Sequence, residues 1–402
     1  MAVSRALEPP KETMGPGEWM RKNLLSPWYN ALLTVIGLWF LYEVGRGLAV
    51  WALTRARWEV VTDNLRLFLV GQFPPDQVWR IWLGLLIPSF LFGLSGGLWS
   101  GAMRQFAGAL GTAFLLLAAM PASWSTRGWL LGNMAATVLG YGLGRWGYRR
   151  PWGNRLLQRI ALSGWILSFP ILILFLYGFQ GNPSFPRVET SLWGGLLLTF
   201  LLSLVSIVLS FPLGVLLALG RRSGLPALRL FSILYIELIR GVPLVTVLFM
   251  ADIMLPLFLP EGLRIDRVVR AMAGFTLFSA AYIAENVRGG LQAIPEGQIE
   301  AARALGLNGF QTTLLIVLPQ ALRMVIPANV GQFISLFKDT SLVAIMGLLE
   351  LLGIGKAVLA NPAYMGLQQE VYLFVALIYG VFSYAMSYAS RRLEKTLGVG
   401  ER

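Results

Sequence analysis

The 402-residue chain contains neither cysteine nor histidine. Without cysteine, disulfides and thiolate metal sites are excluded. Without histidine the chain lacks the usual neutral-pH general base and the commonest metal ligand. Any catalysis would rest on carboxylates, lysine or serine, and no metal or other cofactor is expected in this chain. Charge is scarce as well, at 13% of residues, against about a quarter in soluble domains. The first thirty residues are polar, with Pro9, Pro10, Lys11, Glu12 and Glu18. They lack the short apolar core and cleavage site of a secretory signal, so 1–29 reads as a retained tail. A phosphate loop is missing too, because Gly353-Ile-Gly355-Lys356-Ala357 has neither the upstream glycine nor the hydroxyl. If ATP drives this chain, another subunit binds it.

What the chain has in abundance is apolar sequence: 56% hydrophobic residues, 14 tryptophans and a mean hydropathy of +0.65. Ten runs are long enough to cross a bilayer at about 1.5 Å of rise per residue. They fall at roughly 30–53, 80–98, 106–124, 127–146, 157–179, 191–220, 228–257, 267–288, 322–349 and 370–390. The fold class is therefore an all-α integral membrane protein, a polytopic helical bundle. The net charge of +13 does not point to nucleic acid. Its arginines cluster between the apolar runs, at Arg145–Arg159, Arg221–Arg229 and Arg391–Lys395, as cytoplasmic loops require. Ten crossings place both termini, 147–156, 221–227 and 289–321 on the cytoplasmic side. The loop 54–79, with Arg55, Arg57 and Arg66, disagrees, and eight or nine spans also fit. Gly181-Asn-Pro183-Ser-Phe-Pro186 marks a turn or linker. It divides an N-terminal membrane extension, 30–180 with about three to five spans, from 187–395 with about five.

The loop 289–321 is the most distinctive passage, read Ile294-Pro-Glu296-Gly297-Gln298-Ile-Glu300-Ala301-Ala302-Arg-Ala-Leu-Gly306 and then Ile316-Val-Leu318-Pro319. Pro295 suits the first position of a helix, and Glu296 in the first turn favours its positive end. Gly306 can take the left-handed conformation that ends it. Asn308 and Gln311 have the spacing of a capping box for a second helix, which Pro319 is expected to break or kink. Ile299 and Ala302 offer a small-surfaced face for a partner's groove. The competing reading is a helix resting on lipid headgroups, but those carry Lys or Arg with Trp or Phe.

Charges at membrane depth are expensive and face a bundle interior. Glu237 and Arg240, three apart, can pair on one helix face, and Gly241 with Pro243 predicts a kink there. A static ion pair is the plainer reading. Glu285 and Arg288 repeat the spacing; Glu285 would meet a substrate ammonium or brace the next helix. Lys338, Asp339, Thr340 and Ser341, with Gln332 and Ser335 near the same face, supply a cation and hydroxyls that suit a carboxylate and an acid that suits an amino group. Interhelical hydrogen bonding would explain them equally.

Four passages carry a resemblance: Glu237-Leu-Ile-Arg240-Gly241-Val-Pro243-Leu-Val, Tyr282-Ile-Ala-Glu285-Asn-Val-Arg288-Gly-Gly, the Glu-Ala-Ala loop above, and Lys338-Asp339-Thr340-Ser341-Leu-Val. In this order they resemble the permeases of polar amino-acid ABC importers, the histidine and glutamine uptake family. The Trp58-Glu-Val-Val-Thr-Asp63-Asn-Leu-Arg66 stretch resembles the longer permease of general L-amino-acid importers. Val242 departs from the Thr of many relatives. The resemblance implies a type I ABC importer permease core in a bacterial inner membrane, not an enzyme by itself. It implies a sister permease, a cytoplasmic ATPase dimer that binds ATP and Mg, a solute-binding protein and an amino-acid substrate as partners, with no nucleic acid. Glu296, Gly297, Gln298, Glu300, Ala301, Ala302, Gly306 and Pro319 would couple to the ATPase. A secondary transporter would predict matching halves with broken helices, and a membrane scaffold would leave the loop without a role.

Overall fold

The computed structural model describes residues 15–99, 101–120, 123–260 and 262–398. It divides into two units, Met1–Glu59 and Val60–Arg402. The first is dominated by one 27-residue helix, α1 (Trp28–Thr54), none of whose residues is buried. A mostly apolar helix left unburied along its whole length is suited to lipid.

After the short helices Glu59–Asp63 and Leu65–Val70, the chain continues with α2 (Trp79–Leu98), α3 (Ala102–Ala119), α4 (Trp124–Tyr148) and α5 (Pro151–Tyr177). α2 and α4 pack backbone to backbone through Gly93, Gly97, Gly140 and Gly144. A Cβ at Gly93 would lie 2.0 Å from the Thr137 carbonyl oxygen, and one at Gly140 would lie 2.2 Å from that of Phe90. Small residues four apart let membrane helices approach this closely. Ser89 donates to Asn133 at 2.9 Å inside the same contact. These polar and glycine positions lower the hydropathy of α4, which covers the expected span 127–146 in 25 residues. Among the described residues eight helices are long and apolar enough to cross a membrane, or nine with a bent pair counted as one span.

The boundary expected at 180–190 is a turn, but a pinned one. The Phe179 amide donates to the Phe185 carbonyl at 2.8 Å, and Arg80, fully buried, donates to the Pro186 carbonyl at 2.7 Å. Upstream, Gly71 meets Gly194 so closely that an added Cβ would sit 2.4 Å from the Gly194 Cα. Phe68 packs edge-on against Phe374 at 5.1 Å. Residues 60–180 thus pack onto the remainder of the unit.

The chain continues through α6 (Gly195–Arg221), α7 (Pro226–Arg240), α8 (Leu244–Phe249), α9 (Arg267–Gln292), α10 (Glu296–Ala304), α11 (Leu318–Asp339), α12 (Leu351–Leu359) and α13 (Gln368–Leu397). α6 and α9 form the spine, with Gly214 against Ile283. One apolar cluster gathers Trp193, Leu202, Phe275 and Met346; another gathers Leu217, Ile283, Val287 and Ala321. The single span expected at 228–257 is instead two helical segments bent by 107°. Pro243 lacks the N–H to continue α7, and it becomes the N-cap of α8.

Candidate coupling loop and polar clusters

α10 begins one residue later than expected, with Pro295 as its N-cap in extended geometry. At its other end the Gly306 amide donates to the Arg303 carbonyl at 2.9 Å and that of Leu307 to Ala302 at 3.1 Å. With Gly306 at φ +80° this is a Schellman closure. The capping box is present: the Gln311 amide donates to Asn308 Oδ1 at 2.9 Å, and the Asn308 amide to Gln311 Oε1 at 3.0 Å. Pro319 does not break the second helix. Residues 312–317 form a wider turn just ahead of it, and the helical run 309–346 continues into the membrane span.

The face of α10 assigned to a partner must be corrected. Ala302 is buried and Ile299 packs against the chain's own apolar cluster, because α10 lies on the segment 312–317. What α10 and its turn present outward is Glu296, Gly297, Gln298, Glu300 and Ala301, with Leu305 82% and Phe310 75% exposed. Two large apolar side chains are thus held outward beside the Gly306 turn.

Behind the loop lies a clasp of charges from three helices. Glu285 on α9 is held by two of the three guanidinium nitrogens of Arg288, Nη2 and Nε, with Nε at 2.9 Å. Arg221 at the end of α6 and Arg240 at the end of α7 approach Glu285 Oε2 at 3.6 and 3.7 Å. Glu237 pairs with Arg221 at 2.9 Å, so the expected Glu237–Arg240 pair gives way to cross-helix partners. Arg240 also lies over the Tyr282 ring at 5.6 Å, beside the bend at Gly241 and Pro243. Three guanidinium groups thus surround the Glu285 carboxylate, joining the ends of α6 and α7 to α9. Arg222 ties the end of α6 to the Leu291 carbonyl at 3.2 Å, linking the clasp to the start of the loop.

The second polar group surrounds the end of α11. Thr340 is buried, Gln332, Ser335, Asp339 and Ser341 are half-buried, and Lys338 is exposed. Thr340 Oγ1 lies 3.4 Å from the Tyr379 hydroxyl, which donates to Glu350 at 2.7 Å. Glu350 is fully buried and caps α12, accepting from the Leu352 and Gly353 amides at 2.9 and 2.8 Å. Burial pushes its carboxyl above the usual carboxylate range, against the opposing pull of Tyr379 and the two amides. The sequence reading passed over Glu350, although a lone carboxylate between Leu348 and Leu352 was a visible signal. It also passed over Asn286, which donates to the buried Asn329 at 3.1 Å between α9 and α11.

The described residues thus form a membrane helical bundle with a structured polar loop between two spans. Residues 210–399 match the family of binding-protein-dependent transport system inner membrane components. The inner membrane amino-acid ABC transporter permease protein YhdY of Escherichia coli K12 is 39% identical over 95% of this chain and 93% of its own length. The glutamate/glutamine/aspartate/asparagine transport system permease protein BztC of Rhodobacter capsulatus is 36% identical over 96% and 95%. The probable glutamine ABC transporter permease protein GlnP of Bacillus subtilis is 38% identical, over 50% of this chain and 92% of its own. The chain belongs to the amino-acid ABC transporter permeases, multi-pass proteins of the inner membrane.

Proposed function

We propose that this chain is the translocating subunit of an importer that carries L-amino acids inward, delivered by a solute-binding protein. It works beside a sister permease and is driven by a separate ATPase dimer that binds ATP and Mg. The observation that carries this reading is the outward pair Leu305 and Phe310, held on the Gly306 turn while Ala302 and Ile299 anchor the loop inward. Apolar residues at the centre of a contact with charge at its rim are the usual anatomy of a protein interface. Glu300 supplies such a rim. Pro319 acts through the widened turn ahead of it, which sets the angle at which the loop meets the span.

The loop is tied to the ends of α6, α7 and α9 through Arg222 and the Glu285 clasp. A push on the loop is therefore passed to the helix ends beside the 107° bend at Gly241–Pro243. The substrate path is assigned to Gln332, Ser335, Lys338, Asp339, Thr340 and Ser341 at the end of α11, where a cation, an acid and hydroxyls suit a zwitterion. The start of α3 and the basic end of α13 share one end of the bundle, as Tyr388 donates to Gln105. Both sides of that contact fit a cytoplasmic C-terminus. Affinity purification of the tagged chain, with mass spectrometry of its companions, tests the assembly. An ATPase and a second permease are expected with the wild type, and the ATPase is lost from Glu300→Lys. Recovery of the chain alone would overturn the proposal.

A further inference from the structure

A cavity of about 170 Å³ opens where the start of α3 meets the end of α13. Gly101, Ala102 and Gln105 form one wall, and Arg392 and Lys395 form the other. This is several times the ~30 Å³ that one water occupies in the liquid. Both charged wall residues are cations. Arg392 is oriented by Tyr388, donating to its hydroxyl at 3.1 Å and lying 5.3 Å from its ring centre. The same hydroxyl donates to Gln105 at 3.4 Å, so the cavity sits at a seam between the N-terminal extension and the last helix.

The surroundings of the cavity bear on the source of an anion. α3 and α13 are both apolar enough to span a membrane, yet only 6% and 11% of their apolar windows are buried. Met103 and Leu116 on α3, and Leu377 and Val381 on α13, are exposed. A cationic recess at the head of two lipid-facing helices matches an amphiphile: charge at one end and two apolar flanks for chains. Basic pockets between membrane helices recognise acidic headgroups on these terms. We infer that this cavity holds the phosphate of an anionic phospholipid, whose chains run along α3 and α13 and fasten the extension to the permease core.

Lipid retention by the full chain, purified with its accompanying subunits, tests the site. Native mass spectrometry would follow titration with phosphatidylglycerol, phosphatidylcholine or inorganic phosphate. Arg392→Gln combined with Lys395→Gln should weaken phosphatidylglycerol binding about thirtyfold, from two cations near the headgroup. Arg149→Gln combined with Arg150→Gln, at a different loop, should leave it unchanged. Should the first pair impair folding, Ala102→Leu fills the cavity without touching charge and should also expel the lipid. Equal retention by the Arg392/Lys395 pair or by Ala102→Leu, or equal binding of phosphatidylcholine, would overturn the assignment. Displacement of the lipid by inorganic phosphate would identify a free-anion site and overturn it as well.

Discussion

Replacing Gly306 isolates the geometry of the loop from the stability of the membrane domain. The residue sits at φ +80°, and a Cβ built there meets no atom within 4 Å. Substitution therefore brings backbone strain without a clash. An L-residue in this region costs about 1–2 kcal/mol, and a β-branched one costs more. Two hydrogen bonds, at 2.9 and 3.1 Å, close the turn, each with a net worth of about 1 kcal/mol. The strain of valine equals or exceeds what holds the turn, so Leu305 and Phe310 lose their presentation. For alanine the same 1–2 kcal/mol is roughly a 5–30-fold shift in the population of the closed turn. Asparagine tolerates the left-handed region better. Uptake of a labelled L-amino acid, normalised to the amount of chain in the membrane, should rank Gly above Asn, Asn above Ala and Ala above Val. Full uptake by Gly306→Val at wild-type membrane levels would refute coupling through this turn.

Five further outcomes are expected. Glu285→Gln strips the charge from the acceptor shared by Arg221, Arg240 and Arg288, and should cost about 1–3 kcal/mol, read as a lower melting temperature in detergent. Glu237→Gln, whose carboxylate is 55% exposed and paired with Arg221, should cost under about 1 kcal/mol in the same assay. Tyr379→Phe should destabilise by about 1 kcal/mol, and Glu350→Ala by more because it also uncaps α12. Gly93→Ala forces a Cβ to within 2.0 Å of the Thr137 carbonyl and should cost about 1–3 kcal/mol, whereas Gly132→Ala, facing open space, should shift the melting point little. Ser341→Ala should weaken uptake without changing that melting point if the end of α11 meets substrate.

The features legible in the sequence were those set by neighbours along the chain. The capping box of Asn308 and Gln311, the left-handed Gly306 and the apolar runs depend on local spacing; the structure has the first two, and eight of the ten runs fall on helices long and apolar enough to span, while 127–146 does not and 228–257 is bent. The break at Gly241–Pro243 was legible as a kink because proline lacks its donor, but its size was not. Whether a helix bends slightly or turns through 107° depends on what receives the second segment, here α9. The charge partners were not legible for a related reason. Glu237 and Arg240 share a face, yet long side chains reach across to Arg221 and Glu285, whose nearness is tertiary. The inward turn of Ala302 follows from packing on 312–317, which no periodicity within nine residues of α10 announces. The glycines of α2 and α4 were visible as composition only, since their pairing needs both helices.

A photo-crosslinking residue placed at Leu305, and separately at Ile299, in the assembled transporter most directly tests the coupling surface. ATPase coupling through the outward face of the loop predicts a covalent product with the ATPase subunit from position 305. From position 299, which packs inward, it predicts only a link within the chain. An ATPase product from 299 and none from 305, or none from either in an assembly that still hydrolyses ATP on addition of loaded binding protein, would contradict it.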